Sequence, residues 1–398
     1  MGGKILFRGG KAFLAEQRAF ARRDILVTDG TIAQIAETIS PDAGTEIIEA
    51  DGRLIAPGLI DFHVHAFRYG HFLSIDVDDV APDSGTTTFV DAGSAGALHF
   101  LAFREYVIKP AAANILAFLN VSAIGQTTDG VAGLGFHDND DDRLLHVAAA
   151  VETIEKNRDI IVGVKVRAYT GLPSMRAMER ARELADRVNL PIMVHTAPAP
   201  PTFDEVVSYL RRGDIITHPY HGGATNILDD DGIIRPEYIA ARDRGIEVDL
   251  GLDRFHGLLP IMQACVAQGY YPDYISTDLT TTNRHTIVFD MPTTMSKLMA
   301  CGMPLEEVFA RATVDPARKL GLVGQIGVLR VGTPADIAVF RLEDGAFTFK
   351  DYDGHSITAD QRITAEQTFR RGQRMVRPDR ETESPDFLNR DNPWSNYR

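Results

Sequence analysis

The stretch "GLIDFHVHAFRYG", Gly58–Gly70, places His63 and His65 two residues apart at the end of an apolar run. In an extended strand, residues i and i+2 project to the same side, so the two imidazoles converge on one point. That geometry suits a metal ion. A histidine pair alone fits a loop or a satisfied core equally well, so its meaning depends on what the other strands carry.

Working outward, apolar β-branched runs alternate with stretches of helical periodicity from about Ala56 to Gly324. After "LIDFHVH" come "TTTFVDAG", "ILAFLNVSA", "IIVGVKV", "LPIMVH", "DIITH", "IEVDLG" and "DYISTD", and amphipathic segments such as "MRAMERARELADRV" lie between several of them. Eight such units match a (β/α)8 barrel of the TIM type. A doubly wound sheet is the competitor, but no G-x-G-x-x-G follows the first run. The flanks read differently. Short alternating runs with Gly and Asp-Gly turns fill both "KILFRGGKAF" and "GVLRVGTPADIAVF", which predicts a small β-sandwich built from both chain ends. The expected division is 1–55 and 326–398 for that β-domain, with its C-terminal tail, and 56–325 for the barrel.

Active sites of such barrels form at the C-terminal ends of the strands. There the sequence places His63 and His65 on strand one, Lys165 on strand four, His195 on strand five, His218 on strand six and Asp278 on strand eight. Lys165 is the most telling, because an ammonium inside an apolar strand is costly unless paired or modified. An ion pair, a Schiff-base lysine and a carbamate formed with carbon dioxide are the three readings. Four histidines and an aspartate aimed at the same mouth favour the carbamate, whose two oxygens can bridge two metal ions. Singly, His195 and His218 read as satisfied strand-end histidines, and Asp278 as a helix cap.

These residues closely resemble the amidohydrolase superfamily. "DGRLIAPGLIDFHVH" is similar to its strand-one signature, "GVLRVGTPADIAVF" to the return into the small β-domain, and the order His63, His65, Lys165, His195, His218, Asp278 to its binuclear subtype. The resemblance implies a metal-dependent hydrolase with two divalent ions, zinc by its nitrogen and oxygen donors. It places His63, His65 and Asp278 on the more buried ion, His195 and His218 on the other, and carboxylated Lys165 between. The resemblance further implies that a hydroxide held by the ions would attack the substrate carbonyl and that Asp278, the catalytic residue, would move its proton to the leaving group. The likeness is greatest to deacetylase-like members that release acetyl from an amide or ester of a small carboxylate-bearing molecule, such as an N-acyl amino acid or acetyl-mandelate. Cyclic amide hydrolysis, as in dihydroorotases and hydantoinases, is the alternative, and a non-catalytic scaffold the third reading. Dihydroorotases carry an arginine two residues after the second histidine; here Phe67 stands there, with Arg68 one further on. Mononuclear deaminases lack the lysine and carry a glutamate after the strand-five histidine, where this chain has Thr196-Ala197-Pro198-Ala199.

Substrate residues are expected on the loops beyond the strands: Arg284 first, to grip a carboxylate, then Tyr169, His221 and Arg68, with Tyr220 and Asn283 as further candidates by position. The acidic run "HDNDDDR", His137–Arg143, lacks the glycine and terminal glutamate of a calcium loop and reads as a solvated loop opening a helix. A formal charge of −14 gives no basic footprint for nucleic acid, and no apolar run is long enough for a signal peptide or membrane span. The expected partners are a small carboxylate-bearing substrate without nucleic acid or membrane, in the cytoplasm. Cys265 and Cys301 read as buried, inert thiols. The polar C-terminal tail with Trp394 either wraps a second subunit, which would make a homo-oligomer, or lies on the surface.

Overall fold

Every residue of Leu59–Val64 is buried, and this strand opens a seven-stranded parallel sheet. Thr86–Ala92, Asn114–Asn120, Ile161–Ala168, Ile192–Thr196, Ile215–Thr217 and Glu247–Asp249 follow, each beside the strand before it. The computed structural model describes residues 3–128, 137–169, 172–223 and 225–379. Alternation sorts the strand side chains into two cores. Leu119, Val164, Val166, Val194 and Ile216 pack in one cluster with residues of the surrounding helices, whereas Leu116, Phe118, Met193 and Ile215 belong to another. Continuous apolar runs result from burial on both faces.

The ring closes through the eighth run, which the sequence reads as a strand. Instead it pairs only through single bridges, Asp249 to Tyr274 and Val64 to Leu279. At Asp278 the backbone enters the left-handed region, φ 50°, which ends the extended pleat. The Asp278 amide donates to the His63 carbonyl at 2.7 Å and the His65 amide to the Leu279 carbonyl at 3.2 Å. Asp278 is thus stitched directly to strand one. This is the (β/α)8 barrel expected.

The surrounding helices follow from local sequence. Arg176–Val188 buries Ala177, Met178, Ala181, Leu184, Ala185 and Val188 along one face and stops at Asn189, whose φ of 52° makes a left-handed cap. Phe203–Val207 starts with a capping box between Thr202 and Glu205. No helix among the described residues is long and apolar enough to cross a membrane.

Two further sheets follow, one of four strands from the N-terminal segment and one of six strands to which both chain ends contribute. Ile5, Phe7, Ile25 and Val27 of the first share a core with Ile55, Ile337, Val339 and Phe369 of the second, and Phe7 meets Phe369 edge-on at 5.0 Å. That shared core makes the expected sandwich. Leu54–Pro57 of the six-stranded sheet leads straight into the first barrel strand through Gly58, where an added Cβ would lie 2.2 Å from the Thr87 hydroxyl. The largest hairpin of the sandwich, Ile337–Lys350 with Ser356–Arg370, extends its turn to the barrel: Asp351 accepts from the Leu259 amide at 3.0 Å. Residues 380–398, with Trp394, lie outside the described residues.

Candidate metal centre

Asp278 is the point where the polar strand ends meet. Its Oδ1 lies 3.3 Å from His65 Nε2 and 3.5 Å from His63 Nε2, and its Oδ2 lies 3.6 Å from His218 Nε2. Lys165 Nζ approaches His63 Nε2 at 3.3 Å and Met193 Sδ at 3.7 Å. The His195 ring lies 4.5 Å from that of His218, centroid to centroid. All six residues expected at the mouth are therefore brought together from five strand ends.

Three of the four imidazoles are oriented from behind. His63 Nδ1 faces Asp249 Oδ2 at 2.9 Å and the Thr217 hydroxyl at 3.2 Å; His65 Nδ1 faces Ser94 Oγ at 2.7 Å; His218 Nδ1 faces the Gly251 carbonyl at 2.7 Å. A proton held at Nδ1 leaves each Nε2 lone pair free toward the centre, as metal ligation requires. His218 adopts φ 69°, a costly conformation for a side chain with a Cβ, and Asp278 shares it. Two of the six are held in place against backbone preference.

Burial sets the protonation states. It drives the imidazoles of His63, His195 and His218 well below the usual histidine range, with neighbouring cationic groups acting in the same direction. They stand neutral, as ligands must. Burial pushes the Lys165 ammonium down to about 8, against the pull of Asp278 and Asp249. It pushes Asp249 up to about 7, against the hydrogen bonds of Ser276 and Thr217.

The donors fit a cation. His63, His218 and Asp278 each offer an atom within 4.8 Å of the others. His218 Nε2 and Asp278 Oδ1 are buried without a hydrogen-bond partner, an arrangement that costs stability unless something binds there. Nitrogen and oxygen donors without thiolate suit zinc, manganese, iron, cobalt or nickel.

The residues expected to meet substrate already have protein partners. Arg68 pairs with Asp76 at 2.6 Å, Arg284 donates to the Asp79 carbonyl at 3.0 Å, and the Tyr169 hydroxyl donates to Asp140. His221 is buried, accepts from the Gly223 amide at 3.1 Å, and burial lowers its imidazole to about 4. Asn283 donates to Asp253 Oδ1 at 2.9 Å and to the Asp278 carbonyl at 2.8 Å, a scaffold for the turn. Tyr220 is 1% exposed and belongs to the main hydrophobic core, because the turn after His218 directs it into the wall. The acidic run is only partly solvated. Asp138 is fully buried and paired with Arg167, and Asn139 donates to the Arg167 carbonyl at 2.9 Å, so the run packs against strand four.

Sequence reasoning misses Asp249 and His256. Asp249 ends strand seven, a position within reach of the same search for polar strand ends. The His256 ring lies 4.3 Å from that of His218 and 5.0 Å from that of His195, and its Nδ1 lies 3.2 Å from Asp253 Oδ2. It falls in a loop without periodicity, where no spacing rule reaches.

Known proteins show the same organisation. The sequence pattern of the amidohydrolase family matches residues 259–373. A protein named deacetylase from Brucella anthropi is 34% identical over 378 residues, 90% of this chain and 92% of its own. The chain belongs to the amidohydrolase family. A deacetylase from Agrobacterium fabrum is 34% identical over 373 residues, 89% of this chain and 90% of its own. A dihydroorotase from Citrifermentans bemidjiense is 28% identical over 133 residues, 32% of this chain and 31% of its own. Among solved structures, a dihydroorotase superposes with a TM-score of 0.85 at 31% identity over 94% of this chain and 99% of its own. An adenine deaminase gives 0.85 at 27% identity, over 93% and 98%. Amidohydrolases are generally metal-dependent, and this one is a hydrolytic enzyme.

Proposed function

We propose that the enzyme removes an acyl group, first of all acetyl, from an amide or ester of a small carboxylate-bearing molecule. The observation that carries this reading is the convergence of three imidazole Nε2 atoms on Asp278 at 3.3–3.6 Å. The full-length likeness to proteins named deacetylases supports the choice of bond. In this reading His63, His65 and Asp278 would hold one divalent ion, His195 and His218 would hold a second, and Lys165, as a carbamate, would serve both. When bound, such ions polarise the acyl carbonyl and acidify water, and zinc suits the donors.

The chain's own residues do the rest. Asp249 and the Gly251 carbonyl, as acceptors, hold the Nδ1 protons of His63 and His218, and Ser94 bonds Nδ1 of His65. The neutral amine of Lys165, favoured by burial, is the form that combines with carbon dioxide. The Asp278 carboxylate takes a proton from the attacking water and returns it to the leaving nitrogen or oxygen as the acyl bond breaks.

Opening of a cyclic amide is the second reading, favoured by the 31% identity to the dihydroorotase structure. One assay separates the two. Metal-loaded enzyme kept in bicarbonate is offered N-acetyl amino acids, O-acetyl hydroxy acids, dihydroorotate and hydantoins. Acetate release from the open compounds is expected; ring opening without acetate release overturns the deacylase reading.

A further inference from the structure

A carboxylate-bearing substrate needs a cation at the mouth, yet the arginines expected there are engaged. Arg68 is bound to Asp76 and Arg284 to the Asp79 carbonyl, and two arginines the sequence did not single out are engaged as well, Arg167 with Asp138 and Arg235 with the Asn226 carbonyl. Arg254 is the exception. Its guanidinium makes no hydrogen bond or ion pair with a described residue, although it is only partly exposed and the chain carries 55 acidic side chains.

The loop that carries Arg254 is tied to the metal centre on both sides. Leu252 and Asp253 donate their amides to the Ser276 and Thr277 carbonyls at 3.2 and 3.0 Å, one residue short of Asp278. Asp253, at φ 37°, turns its carboxylate to His256 and Asn283 and also accepts from the Phe255 amide at 3.3 Å, which closes a tight turn around residue 254. Ligating atoms of Asp253, His256 and Asp278 lie within 4.8 Å of one another. Residue 254 is therefore flanked by two residues that reach the centre.

The guanidinium also has a platform. Its Cζ lies 4.5 Å from the centroid of the Phe255 ring, and that ring meets Tyr352 of the sandwich hairpin edge-on at 4.5 Å. Stacking on an aromatic face restrains the guanidinium plane and leaves its N–H edge open to a planar anion, which it can hold through two parallel bonds. The acidic neighbour is turned elsewhere: Asp253 accepts from Asn283 and the Phe255 amide and approaches His256 Nδ1 at 3.2 Å.

We propose that Arg254 is the anchor for the substrate's carboxylate, on the strand-seven loop, and that it selects acids over their neutral analogues. The identity of the acid rests on the deacylase reading; the presence of an anion subsite does not.

The test uses full-length, metal-loaded wild type, Arg254→Gln and Arg254→Lys. Each is assayed on N-acetylalanine and O-acetyl-mandelate and on the carboxamides of both, with metal content measured alongside. Binding of mandelate, dihydroorotate and N-acetylalanine is followed separately by calorimetry. Arg254→Gln should lower the acid-to-amide ratio of kcat/KM about 10- to 100-fold, chiefly through KM, as loss of a charge-assisted contact does. Metal content should hold, and Arg254→Lys should recover part of the ratio. An unchanged ratio, or equal loss on acids and amides, overturns the proposal. Wild type that turns over none of the acetyl compounds defeats the deacylase reading alone, and binding then decides. Acid binding lost in Arg254→Gln supports the anchor; binding equal in both proteins, or absent from wild type, refutes it.

Discussion

His63 keeps a proton on Nδ1 because Asp249 Oδ2 accepts it at 2.9 Å, and the opposite nitrogen then faces Lys165 and Asp278 as a bare lone pair. Asp249→Asn removes that preference for one tautomer. Metal affinity should fall about 10- to 100-fold in competition with a chelator, the usual effect of losing such a partner; unchanged affinity would show that His63 is oriented by Thr217 alone. Asp278→Asn and Lys165→Ala separate proton transfer from metal binding. The first should keep much of its metal and lose turnover, and the second should lose both, with near-normal activity in either variant overturning the mechanism. The residues in and around the centre were not equally legible in the sequence. Lys165, His195 and His218 stand out because each interrupts or ends a recognisable apolar run. Ser94 and His256 do not, since a hydrogen bond or ring contact between distant loops leaves no spacing. Asp138 misleads, because an acidic run reads as solvated until Arg167 is seen to neutralise it.

Among the elements, the sandwich hairpin does more than finish its own sheet. Asp351 at its turn is 3% exposed and accepts from the Leu259 amide at 3.0 Å, which satisfies the start of the helix Leu259–Ala267, and from the His355 amide at 3.0 Å. Asp351→Ala should lower stability by about 1–2 kcal/mol, read from a denaturant midpoint. No shift would mean that the cap is replaced by water. Lys297, on the helix Met291–Ala300, donates to the carbonyls of Ile287 at 2.7 Å and Lys350 at 2.9 Å, and burial pushes its ammonium down to about 8. The folded value lies below the ordinary 10.5, so between the two the unfolded chain holds the extra proton and this group's contribution to stability rises with pH. Lys297→Met should remove that rise between pH 8 and 10; parallel curves for the two proteins would contradict it. The helix Arg176–Val188 was readable because its apolar spacing is strong. Strand eight was not readable as it stands, because the sequence shows its apolar run but not the left-handed turn at Asp278.

At the scale of the molecule, the barrel gathers neutral imidazoles, a buried amine and a carboxylate at one end, and a cation binding there stabilises the folded chain that assembles them. Stripping with a chelator should therefore lower the melting temperature of wild type, and re-addition of zinc or manganese should restore it. The same treatment should leave Lys165→Ala little changed. The barrel and sandwich were legible as rhythm, in eight apolar runs flanked by turn-rich ends. The engagement of Arg68 and Arg284 was not, because side-chain partners on loops depend on how those loops cross. The metal content of protein purified without chelators in bicarbonate, compared with Lys165→Ala, decides whether these side chains hold two ions. About two divalent ions per wild-type chain, falling in the variant, is the predicted result; no metal in wild type, and none taken up from zinc or manganese, would contradict it.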